Sequence, residues 1–326
     1  MKIWFFWTPS LAARVLSDIW AQRDIEVAFV VTNPDKPTGR EQILTPTPVK
    51  TLALENHITV YTPERIRENH EFIDKIRWCE CDYYIVVAYG KILPNAVLAW
   101  PLKMCINIHG SILPKYRWAS PIQSALLHGD AITGVTIMKM SEGMDEGDIL
   151  KIREIPIGEN ETSGTLFEKF AKISWPTLIQ TLRELEHGGI TPLPQDTTQA
   201  TYCKKIEKED GLIDWSYSAR EIYHKWQAYT PWPGIYTMYE GKRLLLEKIS
   251  LLRHREEWSD PENETGMSNT RNDDTIGQVR KLDNGSICVI CGEWLLTLEQ
   301  VKLEWRKSQS IRDFVNGNQR LLTYRL

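Results

Sequence analysis

The sequence predicts an α/β protein: a doubly wound, mostly parallel sheet followed by a smaller β-rich domain. Three observations predict it. Over the first 190 residues, short apolar runs alternate with longer amphipathic stretches, the rhythm of repeated βαβ units. From about residue 202 that rhythm gives way to short strand-like runs with one helical pattern among them. Between the two, residues 188–199 hold two glycines, two prolines and several threonines, the composition of a linker. The length of 326 residues is ample for two domains, and 42% hydrophobic with 25% charged residues is ordinary for a globular chain. The expected division is 1–190, a linker at 191–205, and 206–326.

Taken in order, strands are expected at 3–6, 27–32, 58–61, 83–88 and 105–108. Helices are expected at 11–21, 48–56, 64–77 and 121–128. Residues 133–140 alternate with period two and read as a further strand. A helix follows over 161–186, opened by Thr162 or Ser163 and closed before Gly188-Gly189. In the second part a helix near 218–227 precedes strands around 235–239, 244–252, 277–281 and 287–290, which suggests a small β-barrel. Residues 255–274, with three asparagines and no hydrophobic period, read as a surface loop. No GxGxxG follows the first strand, so a dinucleotide site is not supported.

Composition narrows the partners. A net charge of −4 is not that of a general nucleic-acid binder, so contact with RNA would need a local basic patch. Residues 302–326 offer one: Lys302, Arg306, Lys307, Arg312, Arg320 and Arg325 stand against Glu304 and Asp313 only. Six cysteines suggest a reducing compartment. Cys288-Val289-Ile290-Cys291 has half the spacing of a zinc site, but no second pair matches it, so structural thiols and no metal are expected. The apolar run at 3–7 is too short for a signal peptide, and nothing approaches the roughly 18 apolar residues of a membrane span. The cytoplasm is the expected location, and the sequons at 160–162 and 263–265 then carry no sugar.

The chemistry concentrates in Asn107-Ile108-His109-Gly110-Ser111-Ile112-Leu113-Pro114 and in Gly143-Met144-Asp145-Glu146-Gly147-Asp148. Asn107 and His109 are two apart, so on a strand they face the same side, at its carboxyl end. Ligands bind there in open α/β sheets. Asp145, between two glycines, sits in a loop able to return to the same point. A lone buried histidine is more often a core residue, and an aspartate between glycines more often a turn residue. Together, however, an amide, an imidazole and a carboxylate are what one-carbon acyl transfer to an amine would use. Asn107 would donate to the developing oxyanion. His109 would take the amine proton, and Asp145 would orient it. Ser-His-Asp hydrolysis is rejected, since no G-x-S-x-G elbow surrounds Ser111.

These segments carry a resemblance. With Pro34-Asp35-Lys36-Pro37, Val86–Pro94, Pro121-Ile122-Gln123, Thr162–Leu166, Tyr202–Ile206, Ile213-Asp214-Trp215 and Pro231-Trp232-Pro233-Gly234, the chain resembles the methionyl-tRNA formyltransferases over roughly 300 residues. The resemblance implies a formyltransferase-like Rossmann variant followed by an open OB-like barrel that binds tRNA. It implies transfer of the formyl group of 10-formyltetrahydrofolate to the α-amine of initiator methionyl-tRNA. It also implies a monomer with no DNA and no membrane partner. Folate would be lined by Ser111, Ile112, Leu113 and Pro114, and by Val86, Ala88, Tyr89, Gly90 and Ile92 through their backbone. Lys36, Arg40 and Lys50 would meet tRNA, although Glu41-Gln42 stand where the family is usually basic, which weakens the phosphate attraction. The rivals are a formyltransferase acting on an amino-sugar nucleotide, a formyl-folate hydrolase and a non-enzymatic RNA-binding protein.

Thirteen tryptophans are many, and several stand where the family carries glycine. Trp7, Trp118, Trp175, Trp294 and Trp305 are of this kind, and Trp20 and Trp78 fall at helix ends, where glycine is favoured. Trp215 and Trp232 match family tryptophans. A code in which UGA means glycine would produce this pattern; drift at tolerant sites is the alternative.

Overall fold

A computed structural model describes residues 1–7, 20, 22–39, 41–66, 69–87, 93–252 and 275–326. The helix expected at 11–21, the loop at 255–274, and Arg40, Ala88, Tyr89, Gly90 and Ile92 lie outside the described residues. The chain divides into two compact units. The first is Met1–Pro121, Ile132–Pro156 and Leu166–Lys204; the second is Ile122–Ala131, Ile157–Thr165 and Lys205–Leu326.

The strands of the first unit are β1 (Lys2–Trp7), β2 (Glu26–Val31), β3 (Lys36–Thr38), β4 (Ile43–Thr45), β5 (Thr59–Tyr61), β6 (Tyr83–Val87), β7 (Met104–His109), β8 (Arg117–Trp118), β9 (Ile132–Lys139), β10 (Ile149–Pro156) and β11 (Tyr202–Cys203). Seven of them form one sheet in the order β10-β9-β7-β6-β1-β2-β5. From β1 the chain builds outward through β2 and β5, then returns to the other side of β1 through β6 and β7. All these pairings are parallel. This reversal is the doubly wound pattern, and it opens a crevice at the carboxyl ends of the central strands. Only β9 is reversed, so its pairings with β7 and with the edge strand β10 are antiparallel.

Central strands are covered on both faces, which explains their unbroken apolar sequences. All five residues of β6 are buried. Trp4 stacks on Tyr84 at 4.0 Å and tilts against Phe29, within a core that also holds Phe6, Val31, Phe72 and Val86. Each such side chain contributes about 1.5–3 kcal/mol on burial. Among the described residues, the Trp4 indole N–H is the one buried side-chain polar atom with no partner. The helix Pro48–Glu55 starts where Thr47 accepts from the Lys50 amide and proline takes the first turn.

One expected helix starts later than its periodicity suggests. Residues 64–66 are not helical, and the helix is His70–Arg77, because Asn69 caps the Phe72 amide at 3.0 Å. β10 and the β3–β4 hairpin were not anticipated.

The second unit holds β12 (Ile235–Tyr239), β13 (Lys242–Leu251), β14 (Val279–Lys281), β15 (Ile287–Ile290), β16 (Leu295–Leu303) and β17 (Gln309–Ser310). They form an antiparallel sheet in the order β12-β13-β16-β15-β14, with β17 on β16. β16 was not anticipated. The helix Ala219–Tyr229 opens with a reciprocal Ser218–Glu221 capping box. Trp215 is buried and its indole N–H donates to Thr237. Cys288 and Cys291 are fully buried in and just after β15. The basic residues of 302–326 are all exposed. Arg306 and Lys307 line a cleft of about 610 Å³ together with Lys242, Tyr239 and Asn318.

The tryptophans fall into distinct classes. Trp118, Trp294 and Trp305 have φ of +84°, +69° and +64°, the left-handed region. Trp175 is buried in the helix Ser163–Glu186, and Trp78 ends a helix with φ −88°, so neither backbone demands glycine.

Candidate active site

The site is built at the carboxyl end of β7. Asn107 and His109 project there from alternate positions, opposite Met138 and Thr136 of β9. β9 and β10 are joined by the loop that carries Asp145. Gly147 lets this loop close, because a Cβ there would lie 1.8 Å from the Lys139 carbonyl oxygen. The loop returns the Asp145 carboxylate to β7: Oδ1 accepts from Asn107 Nδ2 at 3.4 Å, and Oδ2 lies 3.6 Å from His109 Nδ1. Oδ2 also accepts from the Trp118 amide at 2.9 Å. The three residues singled out from the sequence thus meet.

His109 is 5% exposed, and its Nε2 sits 2.8 Å from the Tyr116 carbonyl oxygen. A carbonyl only accepts, so the proton of the neutral ring belongs on Nε2. Nδ1 is then the nitrogen with the free lone pair, and it faces the Asp145 side of the site. In that arrangement Nδ1 can accept a proton, and the carboxylate stabilises the imidazolium that results.

Residues Ser111–Pro114 leave β7 in a fixed loop. The Thr136 hydroxyl donates to the Ser111 carbonyl at 2.6 Å and accepts from the Leu113 amide at 3.1 Å. Ser111 is fully buried, with Oγ donating to the Lys115 carbonyl, and Leu113 is buried too. Ile112 and Pro114 are half-buried. Thr136 explains why β9 alternates polar and apolar residues although six of its eight are buried. Val86 pairs with Asn107 across the sheet, and its side chain belongs to the core.

The residues expected to meet tRNA stand apart from these. Lys36 is exposed on β3 of a small hairpin whose β3 and β4 residues are all exposed, including Ile43 and Leu44. Lys50 is half-buried and bonds both oxygens of Asp35, at 2.8 and 2.9 Å. Its charge is therefore already matched within the protein.

Several residues of the site were not anticipated. Arg117 is 1% exposed, and its guanidinium bonds Gln195 Oε1 through Nε at 3.2 Å and Nη2 at 2.9 Å. Gln195 Nε2 in turn donates to the carbonyls of Asp145 at 2.9 Å and Gly147 at 2.7 Å. Tyr202 tilts against Trp118 with ring centroids 4.7 Å apart, and β11 pairs with β8. Gln195 fell in a stretch whose composition reads as linker. Arg117, two residues after Lys115 and flanked by Tyr116 and Trp118, carries no local pattern that sets it apart.

Comparison with known proteins gives this arrangement a class. The chain belongs to the formyl transferase family, whose pattern matches residues 1–182 and whose C-terminal domain pattern matches residues 205–319. Its full-length relatives within that family are methionyl-tRNA formyltransferases. It is 40% identical over 317 residues to that of Caldicellulosiruptor saccharolyticus, covering 97% of each chain. It is also 40% identical over 321 residues to that of Acidobacterium capsulatum, covering 98% of this chain and 97% of the relative. Among solved structures, the sugar 3N-formyl transferase WlaRD shares the fold with a TM-score of 0.64. Its identity is 17%, over 94% of this chain and 99% of that one.

Proposed function

We propose that the protein formylates the α-amine of initiator methionyl-tRNA, taking the formyl group from 10-formyltetrahydrofolate, and that Asn107, His109 and Asp145 carry the reaction. The observation that carries this reading is the convergence of those three side chains, with His109 Nδ1 as the free nitrogen. The relatives named above favour methionyl-tRNA as the acceptor. The donor set fits a formyl donor: an amide N–H, a basic nitrogen and a carboxylate meet beside a pinned loop at Ser111–Pro114, and no nucleophilic side chain is needed.

Bound there, 10-formyltetrahydrofolate supplies a formyl group already bonded to a leaving nitrogen. Asn107 Nδ2 donates to the formyl oxygen as negative charge develops on it. A preorganised donor of this kind is worth about a hundred- to a thousand-fold in rate. His109 Nδ1 takes the proton shed by the attacking amine as the new C–N bond forms. It then delivers that proton to the departing nitrogen as the old C–N bond breaks. Asp145 offsets the transient positive charge of His109. Ser111–Pro114 and the backbone near Val86 flank the donor.

The exposed β3–β4 hairpin with Lys36, and the basic cleft of the second unit, supply phosphate contacts that a chain of net charge −4 otherwise lacks. Arg40 would join Lys36, whereas the charge of Lys50 is taken up by Asp35. The test is formylation of methionyl-tRNA by the purified protein and by His109→Ala. Activity lost in the variant supports both acceptor and site. Turnover on an amino-sugar nucleotide instead would overturn the acceptor.

A further inference from the structure

We propose that Gln195 is a positioning residue that, backed by the buried guanidinium of Arg117, sets the Asp145 loop at its working distance from His109; this rests on the catalytic reading above. Gln195 and Asp145 are 50 residues apart in the chain, yet one carboxamide joins them. Its two N–H groups are divided between the Asp145 and Gly147 carbonyls, and its oxygen takes two N–H groups of Arg117. The amide does both, whereas a carboxylate has no proton to donate and a lysine ammonium no lone pair to accept with. Arg117 is anchored in turn, with Nη1 3.4 Å from the Tyr202 hydroxyl and 3.6 Å from Glu146 Oε1. A buried cation left without these partners would be costly, which favours the bonded arrangement. The loop needs it, because Asp145 itself has φ +59°.

The experiment compares Gln195→Met and Gln195→Glu with the parent, alone and combined with Asp145→Asn. Formylation kcat should fall about tenfold or more, as expected when a catalytic group is displaced, while KM for either substrate moves less than about threefold. In the Asp145→Asn background, Gln195→Met should cost little more, since both act through one contact. Hydrogen exchange gives a readout independent of activity. The Trp118 amide, bonded to Asp145, should lose protection in Gln195→Met while Ile106 in β7 keeps it. Unchanged kcat, or a Trp118 amide as protected as in the parent, overturns the proposal. An inactive parent whose exchange still responds would overturn the acceptor and leave the clamp standing.

A separate observation carries a second inference: we infer that positions 118, 294 and 305 are glycine in the working protein, each specified by a UGA codon that the source reads as glycine. All three have left-handed backbone, which glycine adopts freely and a bulky L residue does not. Position 294 closes the β15–β16 hairpin, its carbonyl accepting from Cys291, and position 305 lies in the turn after β16. Their indoles are 48%, 58% and 92% exposed in chain order. Trp215 is the internal control, since its buried indole is used. The test reads the codons and weighs the native peptides. UGA at all three with glycine masses, and UGG at 215, is expected; UGG at the three overturns the inference.

Discussion

Thr136 serves the loop beside the site with a single hydroxyl that both donates and accepts. Thr136→Val keeps the shape and removes both bonds, leaving a buried carbonyl and a buried amide unpaired. It should cost about 1–3 kcal/mol in denaturant unfolding and raise KM for the formyl donor, whereas Thr136→Ser should restore both. Asn107→Ala should lower kcat about a hundred- to a thousand-fold with the protein still folded, measured by single-turnover formylation. That Asn107, His109 and Asp145 could meet was legible in the sequence, because a two-residue spacing on a strand and a glycine-flanked acid are local patterns. Its supports were not. Nothing local says that the Tyr116 carbonyl fixes the His109 tautomer, or that Gln195 reaches the Asp145 loop from 50 residues away.

At the scale of elements, the parallel strands announced themselves through unbroken apolar runs, and the reading missed those whose composition points elsewhere. β16 spells Leu295-Leu296-Thr297-Leu298-Glu299-Gln300-Val301-Lys302-Leu303, rich in helix formers, and only its pairing with β13 and β15 makes it a strand. β10 lies at the sheet edge, where exposure of Arg153 and Glu154 blurs the pattern. The β3–β4 hairpin is too short to show any period. That hairpin carries its own prediction. Lys36→Ala should weaken tRNA binding and reduce the slope of log K against log salt by about one, read from filter binding at several salt concentrations. Asp35→Asn should do the opposite by releasing Lys50 from its partner.

Over the whole molecule, a cluster in the first unit predicts how stability follows pH. Lys103 hydrogen-bonds Glu186 and holds its carboxyl below the ordinary value of 4.5, with Tyr83 adding a second bond and burial opposing both. A carboxyl lowered on folding contributes fully above its unfolded value and loses that contribution as pH falls through the lower folded one. Glu186→Gln should therefore lower stability at neutral pH and flatten its decline below about pH 4.5, seen in urea unfolding across that range. The antiparallel edge has a consequence in time. β9, the Asp145 loop and β10 are one hairpin, closed by contacts near in sequence, while β7 must find β6 across the parallel sheet. Local pairings form faster than distant ones. A refolding chain should thus shape the acid-bearing loop early and recover turnover late, when β7 docks and brings His109 to it.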